Sequence, residues 1–306
     1  MFVSYKNGNY RVLLNLEDGT KIRYNNENNL KPSRPESLDV KITNQCQHKC
    51  AFCHENSTLN GKVASLNAMK NFVNTIPAYT EIAVGGGNLM LSYNHTEVFL
   101  KMLKEAKAIP SITVRQEDFI KNIKLLSSWK EQGLIYGIGV SLSDSYDPDL
   151  ITCLKVCPTA VLHVIAGVMD EDDYNNLKNN NLKMLILGYK TIRRGKTYIK
   201  SHMREVITNQ TMLVDHFNDF KTDFDIVAFD NLALEQLDVQ NKMTEEEWND
   251  YYCGDDGEYT FYVDLVEEQF ARSSTNLCRM NINNYSVKEM FNIIRGIEYL
   301  KEIRND

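Results

Sequence analysis

Apolar and polar positions follow two rhythms along this chain. From residue 37 onward, short apolar runs alternate with longer stretches of helical periodicity. The runs are 38–43 (LDVKIT), 81–84 (EIAV), 111–114 (SITV), 136–142 (YGIGVSL), 160–166 (AVLHVIA), 183–189 (KMLILGY), 224–229 (FDIVAF) and 260–266 (TFYVDLV). Between the early runs, Leu66, Met69, Phe72 and Val73 share one helical face, and so do Val98, Phe99, Met102 and Leu103. Strand and helix in alternation predict a parallel sheet with crossover helices. Eight such strands predict an α/β fold, a full or partial parallel TIM-like barrel, over 37–275. Ahead of it, FVSYK and NYRVLLNL flank Asn7-Gly8, a strong hairpin signal, and Glu17-Asp18-Gly19 turns into TKIRY. The polar stretch 26–36 carries two prolines and reads as a linker. Residues 1–36 are therefore expected to form a small N-terminal β-hairpin unit. Residues 276–306 are expected to form a C-terminal extension, whose SVKEMFNIIRGIEYLKEIR packs as an amphipathic helix on the outside.

Alternation within the strands sorts their faces, because residues two apart share a side. Leu38, Val40 and Ile42 lie opposite Asp39, Lys41 and Thr43; Ile112 and Val114 lie opposite Thr113 and Arg115. Gly139, Ser141 and Ser143 form one face of the fourth run, Tyr262 and Asp264 one face of the eighth, and His163 joins this polar set. Strands of a parallel sheet are normally apolar on both sides. A polar face therefore predicts a polar barrel interior and a polar substrate, with Lys41, Arg115 and Tyr262 as candidate catalytic residues. If the last strand lies beside the first, Lys41 and Asp264 pair. The alternative is that these groups only satisfy one another as a structural network.

Of 306 residues, 43% are hydrophobic and 25% charged, an ordinary globular composition able to bury a large core without metal or disulfide. The net charge is −7, and Arg193-Arg194-Gly195-Lys196 is the one basic cluster that stands out. Extended nucleic-acid binding is not expected from that balance. No run of about 18 apolar residues suggests a membrane span. The start MFVSYKNGNYR lacks a signal-peptide layout, so a cytoplasmic location is expected. In a reducing compartment, crowded cysteines serve metal binding or catalysis rather than disulfides.

Three of the seven cysteines crowd into CQHKCAFC, at C-x3-C-x2-C spacing: Cys46, Cys50 and Cys53. They follow the first barrel strand, and α/β barrels carry their sites on loops at the carboxyl ends of strands. Soft thiolates favour an iron–sulfur cluster or zinc. In the zinc alternative, His48 or His54 is the fourth ligand of a structural site in a non-catalytic binding protein.

CQHKCAFC, with aromatic Phe52 just before its last cysteine, resembles the signature of the radical SAM superfamily. The resemblance implies that Cys46, Cys50 and Cys53 hold a 4Fe-4S cluster whose open iron chelates S-adenosyl-L-methionine. Reductive cleavage would then form a 5′-deoxyadenosyl radical that abstracts hydrogen from substrate. The second strand runs into Gly85, Gly86, Gly87 and Asn88, which resembles the family's Gly-Gly-Glu segment at the methionine end, with Asn88 where an acid is usual. By the same resemblance Ser141 contacts the cofactor, and the segment bearing Val164 and Gly167 packs near its adenine. The likeness covers 37–230 and is specific at 46–53. It implies a small-molecule substrate (a metabolite or a nucleoside) or a peptide substrate, and an electron donor such as flavodoxin or ferredoxin; activation of a glycyl-radical partner is a related role. Cys153, Cys157, Cys253 and Cys278 are too sparse for an auxiliary-cluster domain. Arg193 and Arg194 are expected at the site end of the barrel, either gripping a carboxylate or phosphate or standing on a solvated loop.

Overall fold

The computed structural model describes residues 1–27 and 29–302. Gly8, at a left-handed φ of 61°, turns β1 (Phe2–Asn7) back onto β2 (Tyr10–Asn15), which pairs in turn with β3 (Lys21–Tyr24). One face of this small sheet buries Tyr5, Tyr10 and Val12 against Tyr79 and Tyr259. Glu36 pins it down: it accepts from Tyr10 Oη at 2.6 Å and from Arg23 Nε at 3.0 Å. Glu36, Tyr79 and Tyr259 each precede a barrel strand, so the unit sits at the amino ends of the strands.

All eight predicted barrel strands form. β4 (Ser37–Thr43), β5 (Glu81–Gly86), β6 (Ile109–Arg115), β7 (Gly137–Ser141), β8 (Ala160–Ile165), β9 (Lys183–Leu187) and β10 (Ile226–Phe229) pair in parallel in chain order. β11 (Thr260–Asp264) lies parallel on the other side of β4. Among the described residues β10 and β11 do not pair, so the barrel is partial rather than full. Two further strands escaped prediction, because they are too short to show alternation. β12 (Gln269–Ala271) and β13 (Met280–Asn281) extend the same sheet antiparallel beyond β11. The expected boundary at 275 thus falls between two strands of one sheet.

The outward faces read from the sequence are the ones that pack. Leu38, Val40, Ile42, Ile82, Val84, Ile112, Val114, Ile138 and Val140 are all buried in one core. Helices cover that side: α1 (Leu66–Val73), α2 (Tyr93–Glu105), α3 (Gln116–Lys121), α4 (Ile123–Glu131), α5 (Pro148–Val156), α6 (Glu171–Leu177), α7 (Arg193–Asp215), α8 (Phe220–Asp223), α9 (Asn231–Gln236), α10 (Glu245–Tyr251) and α11 (Val287–Glu302). α1 shows the local logic: Ser65 caps it by accepting from the Ala68 amide at 3.0 Å, and Met69, Phe72 and Val73 turn to the core. The predicted terminal helix is α11, which buries Met290, Phe291 and Ile294.

Candidate functional site

The loop between β4 and α1, residues 44–65, carries the three cysteines. Its own backbone folds it: the Cys46 amide donates to Thr58 O at 2.9 Å, Asn44 to Lys62 O at 2.7 Å, and Cys53 to Cys50 O at 3.3 Å. Lys49 takes a left-handed φ of 54° between the first two cysteines. All three thiols are free and half-buried. Burial pushes the Cys46 thiol up, and the charges of Cys50 and Cys53 push it further, so the sulfurs act on one another. Arg115, at the end of β6, donates through its guanidinium to Cys50 Sγ at 2.7 Å and to Glu117 at 2.7 Å. It faces inward as predicted, but its hydrogen bonds go to the cysteine loop and to Glu117.

The glycine segment at the end of β5 divides in two. A Cβ on Gly86, at φ 129°, would stand 2.2 Å from Thr43 O, and one on Gly87 would stand 2.3 Å from Gln45 O. Those glycines let the cysteine loop lie directly on β5. The Gly87 amide donates to Thr43 O and the Asn88 amide to Gln45 O, both at 2.7 Å. Gly85 alone borders open space, with nothing within 4 Å of its Cβ position. Asn88 is buried, and its amide nitrogen donates to Gln47 Oε1 at 3.0 Å and Asp118 Oδ2 at 2.9 Å, while its oxygen accepts from the Met90 amide at 2.9 Å. The protein itself thus uses both ends of the Asn88 side chain.

Like Arg115, the other two charged or phenolic groups chosen from the sequence turn out to be tied up. Lys41 Nζ donates to Glu55 Oε2 at 2.7 Å and to Asp264 Oδ2 at 3.0 Å, with the pair to Asp264 formed as expected across β4 and β11. Tyr262 Oη donates to Glu55 Oε1 at 3.3 Å, and Arg193 reaches Glu55 Oε2 at 3.0 Å. Lys41, Glu55, Tyr262 and Asp264 are all buried. Burial would raise the Glu55 carboxyl; His54, Lys41 and Arg193 outweigh it and hold the group at about 2. Lys41 and Arg193 carry that effect at neutral pH, since burial keeps His54 neutral, down at about 3. Glu55 lies two residues past Cys53, so this network locks the end of the cysteine loop into the barrel mouth. Nothing in the sequence near Glu55 signals it, since its partners are far away along the chain.

Arg193 and Arg194, at the start of α7, grip the protein rather than a ligand. Arg193 donates to the carbonyls of His54 and Glu55, each at 3.2 Å, and Arg194 to Cys50 O at 3.1 Å. Phe52 packs edge-on against Tyr198 of α7, ring centroids 5.9 Å apart. His48 Nε2 is engaged by Asp118 Oδ2 at 2.7 Å, and His54 Nε2 stands 3.5 Å from Glu55 Oε1. Among the described residues no three His, Cys, Asp or Glu side chains form a ready metal cage.

The remaining predicted positions separate by face. Ser141, at the end of β7, is half-exposed on the inner face and lies in register between Arg115 and His163. Val164 is buried in the core under the helices, and alternation gives the inner face of β8 to His163 and Ile165. Gly167, at φ 98°, meets Val206 of α7: a Cβ there would stand 2.6 Å from Val206 Cγ1. The Val164 side chain therefore does not line the interior, and helix packing accounts for Gly167.

No protein-family model matches this chain, and no curated protein matches its sequence. Solved structures do resemble it. Streptococcus suis SuiB superposes with a TM-score of 0.59 at 12% identity, covering 95% of this chain and 86% of that one. The same protein bound to S-adenosylmethionine gives 0.55 at 12%, covering 95% and 88%. Native anSMEcpe with bound AdoMet and the Cp18Cys peptide gives 0.55 at 13%, covering 83% and 79%. At these identities the likeness establishes the fold.

Proposed function

We propose that this chain is a radical SAM enzyme, in which Cys46, Cys50 and Cys53 hold a 4Fe-4S cluster and S-adenosyl-L-methionine binds beside it at the barrel mouth. The carrying observation is the set of three free, half-buried thiols on the one loop after β4. Two supports stand beside it: the CQHKCAFC spacing, and a fold shared with proteins solved with that cofactor bound. The donor set fits such a cluster on chemical grounds, as three soft thiolates leave one iron position free. When bound beside Cys46, Cys50 and Cys53, the two cofactors would supply reductive hydrogen-atom abstraction chemistry.

The protein's share of the work is placement and charge. Arg194 and the Glu55 network hold the loop from two sides, so that the thiols stay at the mouth. The Arg115 guanidinium beside Cys50 Sγ offsets thiolate charge. Gly85 gives a bound cofactor open backbone to lie against, and Ser141 offers a hydroxyl on the inner face. The substrate is polar and enters the barrel; a small molecule and a peptide side chain both suit such a chamber, with flavodoxin or ferredoxin as electron donor. The protein is assigned to the cytoplasm, and among the described residues no helix is long and apolar enough to cross a membrane.

Anaerobic reconstitution with iron and sulfide, followed by reduction in the presence of S-adenosyl-L-methionine, tests the reading. A brown protein absorbing near ~400 nm and releasing 5′-deoxyadenosine is expected. Replacing Cys46, Cys50 and Cys53 together by Ala should remove both. A colourless protein holding one tight zinc, or 5′-deoxyadenosine from the triple variant, refutes it.

A further inference from the structure

The interior of this barrel is not filled. A packed α/β barrel layers bulky branched side chains inside. Here one inward row, read across paired strands, is Tyr262, Asp39, Ala83, Ser111 and Gly137, with Tyr262 its one bulky member. The next level adds Thr113 and Gly139. Solvent reaches Asp39 and Ala83 although both stand on inner faces. A Cβ on Gly137 would touch only Ser111, at 3.4 Å. His163 lies over Gly139, whose Cβ position is 2.2 Å from the ring. Small residues from β5, β6 and β7 thus open a hollow beneath the cysteine loop.

Inside the hollow the polar groups have no partners. The three inward groups chosen from the sequence as catalytic candidates, Lys41, Arg115 and Tyr262, are hydrogen-bonded to protein. Asp39, Ser111, Thr113, Ser141 and His163 make no side-chain hydrogen bond among the described residues. Burial keeps His163 neutral, its imidazole held down at about 4, so it adds no positive charge. The charges acting on Asp39 are Lys190 after β9, Asp256 before β11 and Asp230 after β10. Lys190 forms no ion pair within 4.0 Å among the described residues and donates to Ser274 Oγ at 2.9 Å. The chamber therefore presents an unpaired carboxylate among hydroxyls and a neutral imidazole.

We propose that this hollow is the substrate chamber and that Asp39 is its specificity-determining residue, selecting a substrate group that carries positive charge, an ammonium or a guanidinium. The inference rests on the radical SAM reading for its chemistry but on the chamber alone for its selectivity. Enclosure by the barrel raises the Asp39 carboxyl to about 6, Lys190 opposing the rise and Asp256 and Asp230 adding to it. A cation beside it relieves that penalty. Ser111 and Thr113 supply acceptors for the remaining N–H groups, and an ammonium has three donors to satisfy.

Isothermal titration of the reconstituted protein, loaded with S-adenosyl-L-methionine, tests this with four probes: the Nα-acetyl amides of lysine, arginine, norleucine and glutamate. The lysine or the arginine probe should bind at least ~10-fold more tightly than norleucine, and glutamate most weakly, tenfold being ~1.4 kcal/mol. Asp39→Asn should erase the preference, and Asp39→Ser should do the same; circular dichroism confirms that each variant is folded. The proposal is overturned if neither cationic probe outbinds norleucine, or if both folded variants keep the preference. Release of 5′-deoxyadenosine by the wild-type protein is scored separately. A charge preference without that product sinks the radical SAM reading and leaves the chamber's selectivity standing.

Discussion

Gly87→Ala puts the division of labour within the glycine segment to the test. The added Cβ would stand 2.3 Å from Gln45 O, whereas carbon–oxygen contacts settle near ~3.3 Å, so the cysteine loop must retreat by about 1 Å. That retreat strains the Gly87–Thr43 and Asn88–Gln45 hydrogen bonds, both 2.7 Å long. Each such bond is worth ~0.5–1.5 kcal/mol and overpacking ~1–3 kcal/mol, so a destabilisation of about 2–6 kcal/mol is expected. Because the loop carries the thiols, reconstituted iron and sulfide content should fall with it. Gly85→Ala is the matched control, as nothing lies within 4 Å of its Cβ position. It should leave stability and iron content unchanged and weaken only S-adenosyl-L-methionine binding. Urea unfolding of both variants, with iron and sulfide analysis and cofactor titration, reads all three quantities. Full iron loading and wild-type stability in Gly87→Ala would refute the reasoning, since the glycine would then not be what seats the loop.

Two further outcomes follow from the buried and enclosed charges. Lys41→Met removes a cation shared by Glu55 and Asp264; losing one partner of a buried pair costs ~3–5 kcal/mol, and the low end is expected because Glu55 keeps Arg193. Urea unfolding should show that loss, with Lys41→Met/Asp264→Asn recovering part of it; a change below ~1 kcal/mol contradicts the network. The Asp39 carboxyl is pushed up to about 6 in the fold, an effect that its contact with solvent discounts, so its contribution to stability is full below the ordinary value and is lost as pH rises through about 6. Asp39→Asn should therefore be neutral near pH ~4 and stabilising above pH ~6 by thermal unfolding; destabilisation at pH ~7.5 would contradict it.

The sheet was legible because alternation is a local signal. Each of β4 to β11 announces itself within a few residues, and the outward faces Leu38, Val40 and Ile42 pack as read. The thiol loop was legible for the same reason, since its spacing lies within eight residues. Partnership was not, because it is set by distant chain. The Lys41–Asp264 pair could be read from the strand faces, but Glu55, 207 residues before Tyr262, could not be foreseen as the partner of both Lys41 and Tyr262. Arg193 and Arg194 look like ligand grips until the carbonyls of 50, 54 and 55 meet them. Asp39 was read as inward-facing, but only the map of satisfied groups singles it out. Gly86 and Gly87 were read as yielding to a ligand, and they yield to their own chain.

Lys41 and Asp264 are 223 residues apart, and their bond has a consequence for how the protein is born. During synthesis at ~5–20 residues per second, the cysteine loop emerges early and waits for its clamps. Gly87, Asn88 and Arg115 arrive first, Arg193 and Arg194 later, and β11, which brings Tyr262 and Asp264, arrives last of the barrel strands. Until then three thiols lie on a loop only partly fastened, open to oxidation and to stray metal. A ribosome-bound chain truncated before residue 260 would hold them in that state, so maturation of the site waits for β11.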